Sequence, residues 1–264
     1  MAHDASPVKT VDRLVKVLDC FSSQRPTWSL AELSLHLHLP KSTLHRFLCG
    51  LESHDVLRRD PADKRWRLGY RLFVWGNLAA ESTGLRHVAR PFMHDLVVAT
   101  GETALLTVYR DQEVICIDKV ETSQAVRLTL DLGLRNPPHA GASSKVLMAY
   151  LPDDEIRAII RDRGLPRLCA NTITRPDELL LELTRIRQQG YAVSREETDL
   201  SAWGVAAPIY GWKDCEVVAA IGIAGPTSRF GDNVVRHYAE MCCRAAERVS
   251  AALRTGDRAA PLGF

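Results

Sequence analysis

The sequence predicts an α+β protein in two parts. A small helical part with a short hairpin comes first, followed by a larger part in which strand pairs alternate with helices. Three observations lead there. A chain of 264 residues is long enough for two domains, and 46% hydrophobic with 25% charged content supplies ordinary buried cores. Apolar residues recur at helical spacing through residues 7–54, whereas β-rich runs after residue 100 come in pairs separated by helices. Charge is divided as well: residues 1–75 carry 12 Lys+Arg against 8 Asp+Glu, a net of +4, and the remainder is net −2. A basic first part suits phosphates, and a slightly acidic second part suits something else.

The first elements follow from local chemistry. Val11, Leu14, Val15, Leu18 and Phe21 give the stretch from Pro7 to Phe21 a helical period. Ser29 with Glu32 three residues on is a capping box, opening a helix whose apolar side is expected from Leu30, Leu33, Leu35 and Leu37. Pro40 bars that helix from continuing. A third helix is predicted over Ser42 to His54, with Leu44, Phe47, Leu48 and Leu51 facing inward. Asp60-Pro-Ala-Asp63 is a hairpin turn between Val56-Leu57 and Trp66-Arg67-Leu68. Helix, turn, helix with a basic start, then a basic hairpin is the order of a winged helix-turn-helix.

That order assigns candidate DNA contacts. The N-terminal residues of a recognition helix reach base edges, so Lys41, Ser42 and Thr43 stand first, with His45 and Arg46 one turn on. Arg46 is the best candidate for a base contact, through a bidentate pair with guanine contributing about 1–3 kcal/mol of discrimination. Arg58, Arg59, Lys64, Arg65 and Arg67 on the hairpin are expected to neutralise phosphates. A single module of this size binds weakly, so a dimer reading two half-sites is expected. A winged helix that contacts protein instead, as in an adaptor, is the competing reading.

The second part begins with a connecting helix over Tyr70 to Ala80, whose Leu72, Phe73, Trp75 and Leu78 call for a packing partner, a second subunit among the options. Another helix runs from His87 to Ala99 and closes at Gly101. Strands are predicted over Thr103 to Tyr109 and Val114 to Val120 about a turn at Arg110-Asp-Gln112, with a third over Val126 to Leu130. Helices follow over Ser143 to Leu151, Asp153 to Arg163 and Pro176 to Gln189. Gly204 to Tyr210 and Val217 to Ala224 form a second hairpin about Gly211-Trp-Lys-Asp214, and Asn233 to Arg254 is a final amphipathic helix. Disorder is expected only over Met1 to Ser6 and Gly256 to Phe264.

Several function classes find no support. Seven cysteines without C-x-x-C spacing read as reduced thiols of a cytoplasmic protein, with Cys242-Cys243 the place to look for a redox switch. No apolar run approaches the ~20 residues of a membrane span, and the N-terminal residues lack a secretion signal. No phosphate-binding loop, dinucleotide glycine pattern, nucleophile elbow or zinc-protease motif occurs, so neither a catalytic residue nor a cofactor is assigned. An enzyme with an appended DNA-binding domain therefore remains only as an alternative. His139 and Lys145 are read as structural rather than acid-base residues, and Glu196, Glu197 and Asp199 as a solvated loop rather than a metal site.

Specific blocks then identify a resemblance. They are Leu39-Pro-Lys-Ser-Thr-Leu-His-Arg46, Arg67-Leu-Gly-Tyr70, Pro138-His-Ala-Gly-Ala-Ser-Ser-Lys-Val-Leu-Met-Ala149, Gly190-Tyr-Ala-Val-Ser-Arg-Glu-Glu197, Gly204-Val-Ala-Ala-Pro208 and Ala220-Ile-Gly-Ile-Ala-Gly-Pro226. In this order, over residues 7 to 255, the chain resembles the IclR family of bacterial transcriptional regulators. The resemblance implies a winged helix-turn-helix over 7–70, a linker helix over 71–83 and a GAF-like effector-binding domain over 84–255. It implies operator DNA and a small-molecule effector as partners, a homodimer or homotetramer, and control of catabolic or transport genes. Carried over by position, the effector pocket would involve Leu128, Ala142, Ser143, Ser194, Gly204, Gly222 and Ala224. Ser143 and the amides beside it would hold a carboxylate. Ser144 stands where the family usually has Gly. Small or apolar residues stand where members that bind small oxo-acids carry Asp, Cys and Ser. The second departure implies a roomier, less polar pocket, suited to an aromatic or longer-chain acid.

Overall fold

Ser29 and Glu32 start their helix as the spacing predicts. The Ser29 amide donates to Glu32 Oε2 at 2.8 Å, and the Glu32 amide donates to Ser29 Oγ at 3.2 Å. The computed structural model describes residues 9–22, 25–82, 84–128, 130–211 and 216–255, and divides after Ser82 into two units. The expected terminal disorder, the turn of the second hairpin and Cys215 fall outside the described residues.

The first unit contains α1 (Lys9–Asp19), α2 (Leu30–Leu37), α3 (Lys41–Ser53), β1 (Leu57–Arg59), β2 (Trp66–Leu68) and α4 (Tyr70–Ser82). His38 takes the left-handed conformation at the end of α2, and Pro40, two residues later, stands immediately before α3. Val17, Leu33, Leu44, Leu48, Leu57 and Trp66 form the core. Leu35, expected on the inner side of α2, is 79% exposed. Leu30, Leu33 and Leu37 share one face at spacings of three, four and seven, and Leu35 falls opposite them. Trp28 exchanges two backbone hydrogen bonds with Trp66 and so extends the β1–β2 hairpin. On α4, Tyr70, Phe73, Val74, Trp75 and Leu78 are each at least half exposed, and Leu72 is half-buried.

The second unit begins with α5 (Leu85–Thr100), which ends at Gly101 in the left-handed conformation. β3 (Thr103–Arg110) and β4 (Glu113–Val120) turn through Asp111 and Gln112, both at positive φ. β5 (Arg135–Asn136), α6 (Ala142–Ala149), α7 (Asp153–Arg163) and α8 (Pro176–Gln189) follow. β6 (Ala192–Arg195), β7 (Ala202–Tyr210), β8 (Val217–Pro226) and α9 (Asp232–Thr255) complete the unit. The six strands form one antiparallel sheet in the order β5-β4-β3-β8-β7-β6.

Alternation along the strands gives the sheet two different faces. Ala104, Leu106, Val205, Ile221 and Ile223 pack with α5 and α9 in one core. Ala192, Ala206 and Ala220 pack with α6, α7 and α8 in another. The residues between these alanines and the sheet edge, Leu105, Cys116 and Ala224, meet Leu128 and Leu130 in a small third cluster.

That third cluster explains the main difference from expectation. Val126 to Leu130 is not a strand over its described residues. Its carbonyls bond to side chains instead of a neighbouring strand: Thr103 Oγ1 donates to Leu128 O at 3.3 Å, and Arg229 Nη1 donates to Val126 O at 2.8 Å. The segment therefore crosses the sheet face. Two short strands that the sequence pattern did not single out, β5 and β6, occupy the sheet edges.

Register also decides which glycines are structural. A Cβ on Gly222 would lie 2.4 Å from Val205 O and 2.8 Å from the Ala206 Cβ, whereas one on Gly204 would meet nothing closer than 3.4 Å. Gly222→Ala is expected to lower stability by about 1–3 kcal/mol, and Gly204→Ala to leave it nearly unchanged. Thermal unfolding of the two full-length variants checks this; equal melting temperatures would refute the close approach at Gly222.

Candidate functional site

In the first unit the exposed face of α3 is its polar face. Lys41, Ser42, His45 and Arg46 are exposed and Thr43 is half-buried, while Leu44 and Leu48 are fully buried on the opposite side. Positions 42, 45, 46 and 49 share that outer face at spacings of three, four and seven. Cys49 belongs to it, with Sγ 3.6 Å from His45 Nδ1. No side chain caps the start of α3, so its first amides stay available to an acceptor.

The hairpin residues divide in two. Lys64 is exposed at the tip, at positive φ. Arg58 lies 5.3 Å from the Tyr70 ring, and Arg59 Nε donates to Lys64 O at 3.1 Å. Both arginines remain exposed. Arg65 and Arg67 turn inward. Arg65 pairs with Glu32 at 2.7 Å and donates to Thr27 Oγ1 at 3.0 Å, which locks the hairpin to the start of α2. Arg67 pairs with Asp60 at 3.0 Å and Asp63 at 3.3 Å, closing the turn. Glu32 is held below the usual carboxylate range by the Ser29 amide first and Arg65 next. Asp60 is lowered likewise, by the Ala62 amide and then Arg67. Arg65 and Arg67 are thus engaged within the unit through partly exposed ion pairs. Arg25, which charge reading alone did not single out, stacks on Trp28 at 3.3 Å and pairs with Glu32 at 3.3 Å.

In the second unit the strand register assembles a cavity. Ser194 pairs with Gly204, Gly204 with Ala224, and Ala224 with Thr103, so one row runs across four strands. Opposite partners in antiparallel strands point to one face. Above this row Leu128 and Leu130 form a roof, and the first turn of α6 forms one end. The cavity is partly open to solvent and has a volume of about 70 Å³. Leu105, Val114, Cys116 and Leu134 give it an apolar wall; Thr107, Asn136, Ser144 and Thr198 give it polar edges, and Asp199 stands at its rim. Of the positions expected to form a pocket, Leu128, Ser143, Ser194, Gly204 and Ala224 line this cavity. Ala142 sits just behind, within ordinary contact of Gly204, and Gly222 is closed off by its neighbours on β7. Leu128 and Leu130 lie against the row of small floor residues.

The charged groups near the cavity are structural. Lys145, 1% exposed, donates to Glu197 at 2.6 Å, Glu182 at 3.0 Å and Val193 O at 2.8 Å. Glu197, expected in a solvated loop, is 7% exposed, and its other oxygen accepts the Gly141 amide at 3.0 Å. Thr172 Oγ1 donates to Glu197 O at 2.6 Å. His139, 1% exposed, donates from Nε2 to Pro166 O at 3.0 Å, and burial lowers its pKa. No group of three metal-binding side chains occurs among the described residues. Cys116 is pushed up to about 11 by burial, and burial likewise raises Cys242 and Cys243. Those thiols are poor nucleophiles. Among the described residues no helix is long and apolar enough to cross a membrane.

Comparison with known proteins agrees with this arrangement. The model of the IclR helix-turn-helix domain matches residues 10–61, and that of the bacterial transcriptional regulator IclR C-terminal domain matches residues 77–251. The chain is 33% identical to the HTH-type transcriptional regulator KipR of Bacillus subtilis over 242 residues, covering 92% of this chain and 96% of that protein. It is 29% identical to the transcriptional repressor IclR of Escherichia coli, covering 93% and 90%. A solved IclR homologue from Microbacterium hydrocarbonoxydans, complexed with 4-hydroxybenzoate, superposes with a TM-score of 0.83 at 27% identity, covering 93% of this chain and 99% of that one. The winged helix-turn-helix head, the GAF-like second unit and these matches together show that the chain belongs to the IclR family of transcriptional regulators.

Proposed function

We propose that this regulator binds its operator through the exposed face of α3 and the hairpin tip, and changes that affinity when a small organic molecule fills the cavity of the second unit. The observation that carries the reading is the pairing of the two features in one chain. Lys41, Ser42, Thr43, His45 and Arg46 form a basic, hydroxyl-bearing surface at the start of a helix whose other side is fully buried. A partly open cavity with an apolar wall and polar edges is the form a small-molecule site takes. Arg46 is the reader of a base, and Lys64, Arg58 and Arg59 are the contributors to phosphate affinity. Arg65 and Arg67 have acidic partners within the hairpin and at α2, so they shape the hairpin before they touch DNA.

The working form is a homodimer or a pair of dimers in the cytoplasm. The five apolar side chains exposed on α4 support self-association, since so contiguous an apolar set is seldom left to water. Two heads in one particle also match the need for two half-sites. The controlled genes are those of a catabolic or transport operon whose substrate, or a product of it, is the effector.

Two measurements test this. On a duplex selected by the protein from a random pool, Arg46→Ala should weaken binding about 10- to 100-fold, the equivalent of about 1–3 kcal/mol, while binding to unselected DNA falls far less. Equal losses on both would make Arg46 a phosphate contact. Ser143→Trp should place an indole in the cavity, abolish the response to the effector and preserve DNA binding. An intact response would put the effector elsewhere.

A further inference from the structure

α5 and α9 cover the face of the sheet opposite the cavity, and an open groove runs between them. The two helices are antiparallel. Tyr238 Oη donates to Thr100 O at 3.5 Å towards one end, and Arg248 meets Asp95 at 3.4 Å towards the other. Positions 92, 95, 96 and 99 form one wall of the groove, and positions 241, 244, 245 and 248 form the other. Both sets have the spacing of three, four and seven that gathers residues on one helix face. Ala99 and Ala245 contribute only a methyl group each. The groove has a volume of about 310 Å³, against about 70 Å³ for the cavity on the other face.

Its floor is apolar and its rim is charged. Leu96 is 3% exposed and Ala245 7%, and Phe92 and Met241 are half-buried; all four belong to the core beneath. Two guanidiniums and one carboxylate stand above them. Arg248 lies 4.6 Å from the Phe92 ring, and its contact with Asp95 joins side chains that are each about two-thirds exposed. Such a pair contributes little. Arg244 is exposed and has no acidic partner among the described residues. Glu240 and Glu247 belong to the same helix but flank Cys243, whose thiol is raised by burial first and by these carboxylates next. The groove thus joins an apolar floor to an excess of one positive charge. Its size says what it can take. A wall of eight residues is about 10 Å long, too short for a protein partner, which buries about 800 Å² on each side. The volume instead falls at the lower end of small-molecule pockets, about 300–1,000 Å³. Arginine planes stack on aromatic faces, and methionine sulfur packs well against ring edges, so a flat ring suits this lining.

We propose that the groove between α5 and α9 is a second ligand site, for a small aromatic monoanion. The ring lies on Phe92, Leu96, Met241 and Ala245, and Arg244 and Arg248 hold the anionic group at the rim. The site is on the opposite face of the sheet from the cavity, and it does not depend on what fills that cavity.

Fluorescence titration of the full-length protein with 8-anilinonaphthalene-1-sulfonate, an aromatic monoanion, tests this. N-phenyl-1-naphthylamine supplies the same frame without the charge. The sulfonate should fill a saturable site of one probe per chain, at least tenfold more tightly than the uncharged amine. Arg244→Gln should weaken the sulfonate about tenfold, as expected for a lost hydrogen bond to a charged group, and leave the amine unchanged. Ala99→Phe should fill the groove from the α5 side and abolish the site. Both positions are exposed, so neither change disturbs the core. Ser143→Trp, which blocks the other cavity, should leave the sulfonate bound. Absence of saturable binding, equal affinity for the two probes, or unchanged sulfonate binding in either groove variant would overturn the assignment. Loss of the sulfonate in Ser143→Trp would overturn it too, by placing the probe in the cavity. So would a smaller particle for either groove variant in sedimentation velocity, which would make the groove a contact between copies of the chain.

Discussion

The buried ammonium of Lys145 is the constraint on which the second unit's site depends. It ties α6 to α8 through Glu182, to β6 through Val193 O and to the loop after β6 through Glu197. Glu197 passes the restraint on by accepting the Gly141 amide, which fixes where α6 begins. A lysine so deep in the protein is tolerable only because all three of its protons have acceptors. Removing one partner of such a cluster costs about 3–5 kcal/mol, since a buried charge is left uncompensated. The cavity inherits its rigidity from this arrangement: its polar end is the first turn of α6, and its floor is the strand row that starts beside Val193.

The first unit uses charge in the opposite way. Its ion pairs lie at the surface, where each contributes little to stability, yet they define a shape. Glu32 both caps α2 and receives Arg65, so one carboxylate links helix start and hairpin. Asp60 and Asp63 hold Arg67 across the turn. With these arginines engaged, Lys64 is left at the tip, and Lys41 and Arg46 project from α3. Internal pairing thus sharpens the surface offered to DNA rather than adding to it.

What could be read from the sequence was whatever depended on near neighbours. The capping box, Pro40, the buried stripe of α3, the Asp111-Gln112 turn and the Gly101 helix end all rest on interactions within a few residues. Long-range pairing was less visible. Val126 to Leu130 has the alternation of a strand, but its leucines enter the cavity and its carbonyls go to Thr103 and Arg229, partners distant in sequence. β5 and β6 are short and exist through the strands they join. The pairing of Arg65 and Arg67 with Glu32, Asp60 and Asp63 likewise needed the fold to be seen. The cavity showed the same limit. Its floor positions followed from family likeness, whereas the closure of Gly222 required the packed structure.

The proposed function requires that filling the cavity change the affinity of α3 for DNA. Coupling between two binding sites is reciprocal, so the factor by which a ligand changes DNA affinity must equal the factor by which DNA changes ligand affinity. The direct measurement titrates full-length protein with its selected duplex, with and without a small molecule that saturates the cavity, and then titrates that molecule with and without the duplex. The same factor is expected both ways, of about 5- to 150-fold. DNA affinity that stays the same with the cavity saturated would contradict it.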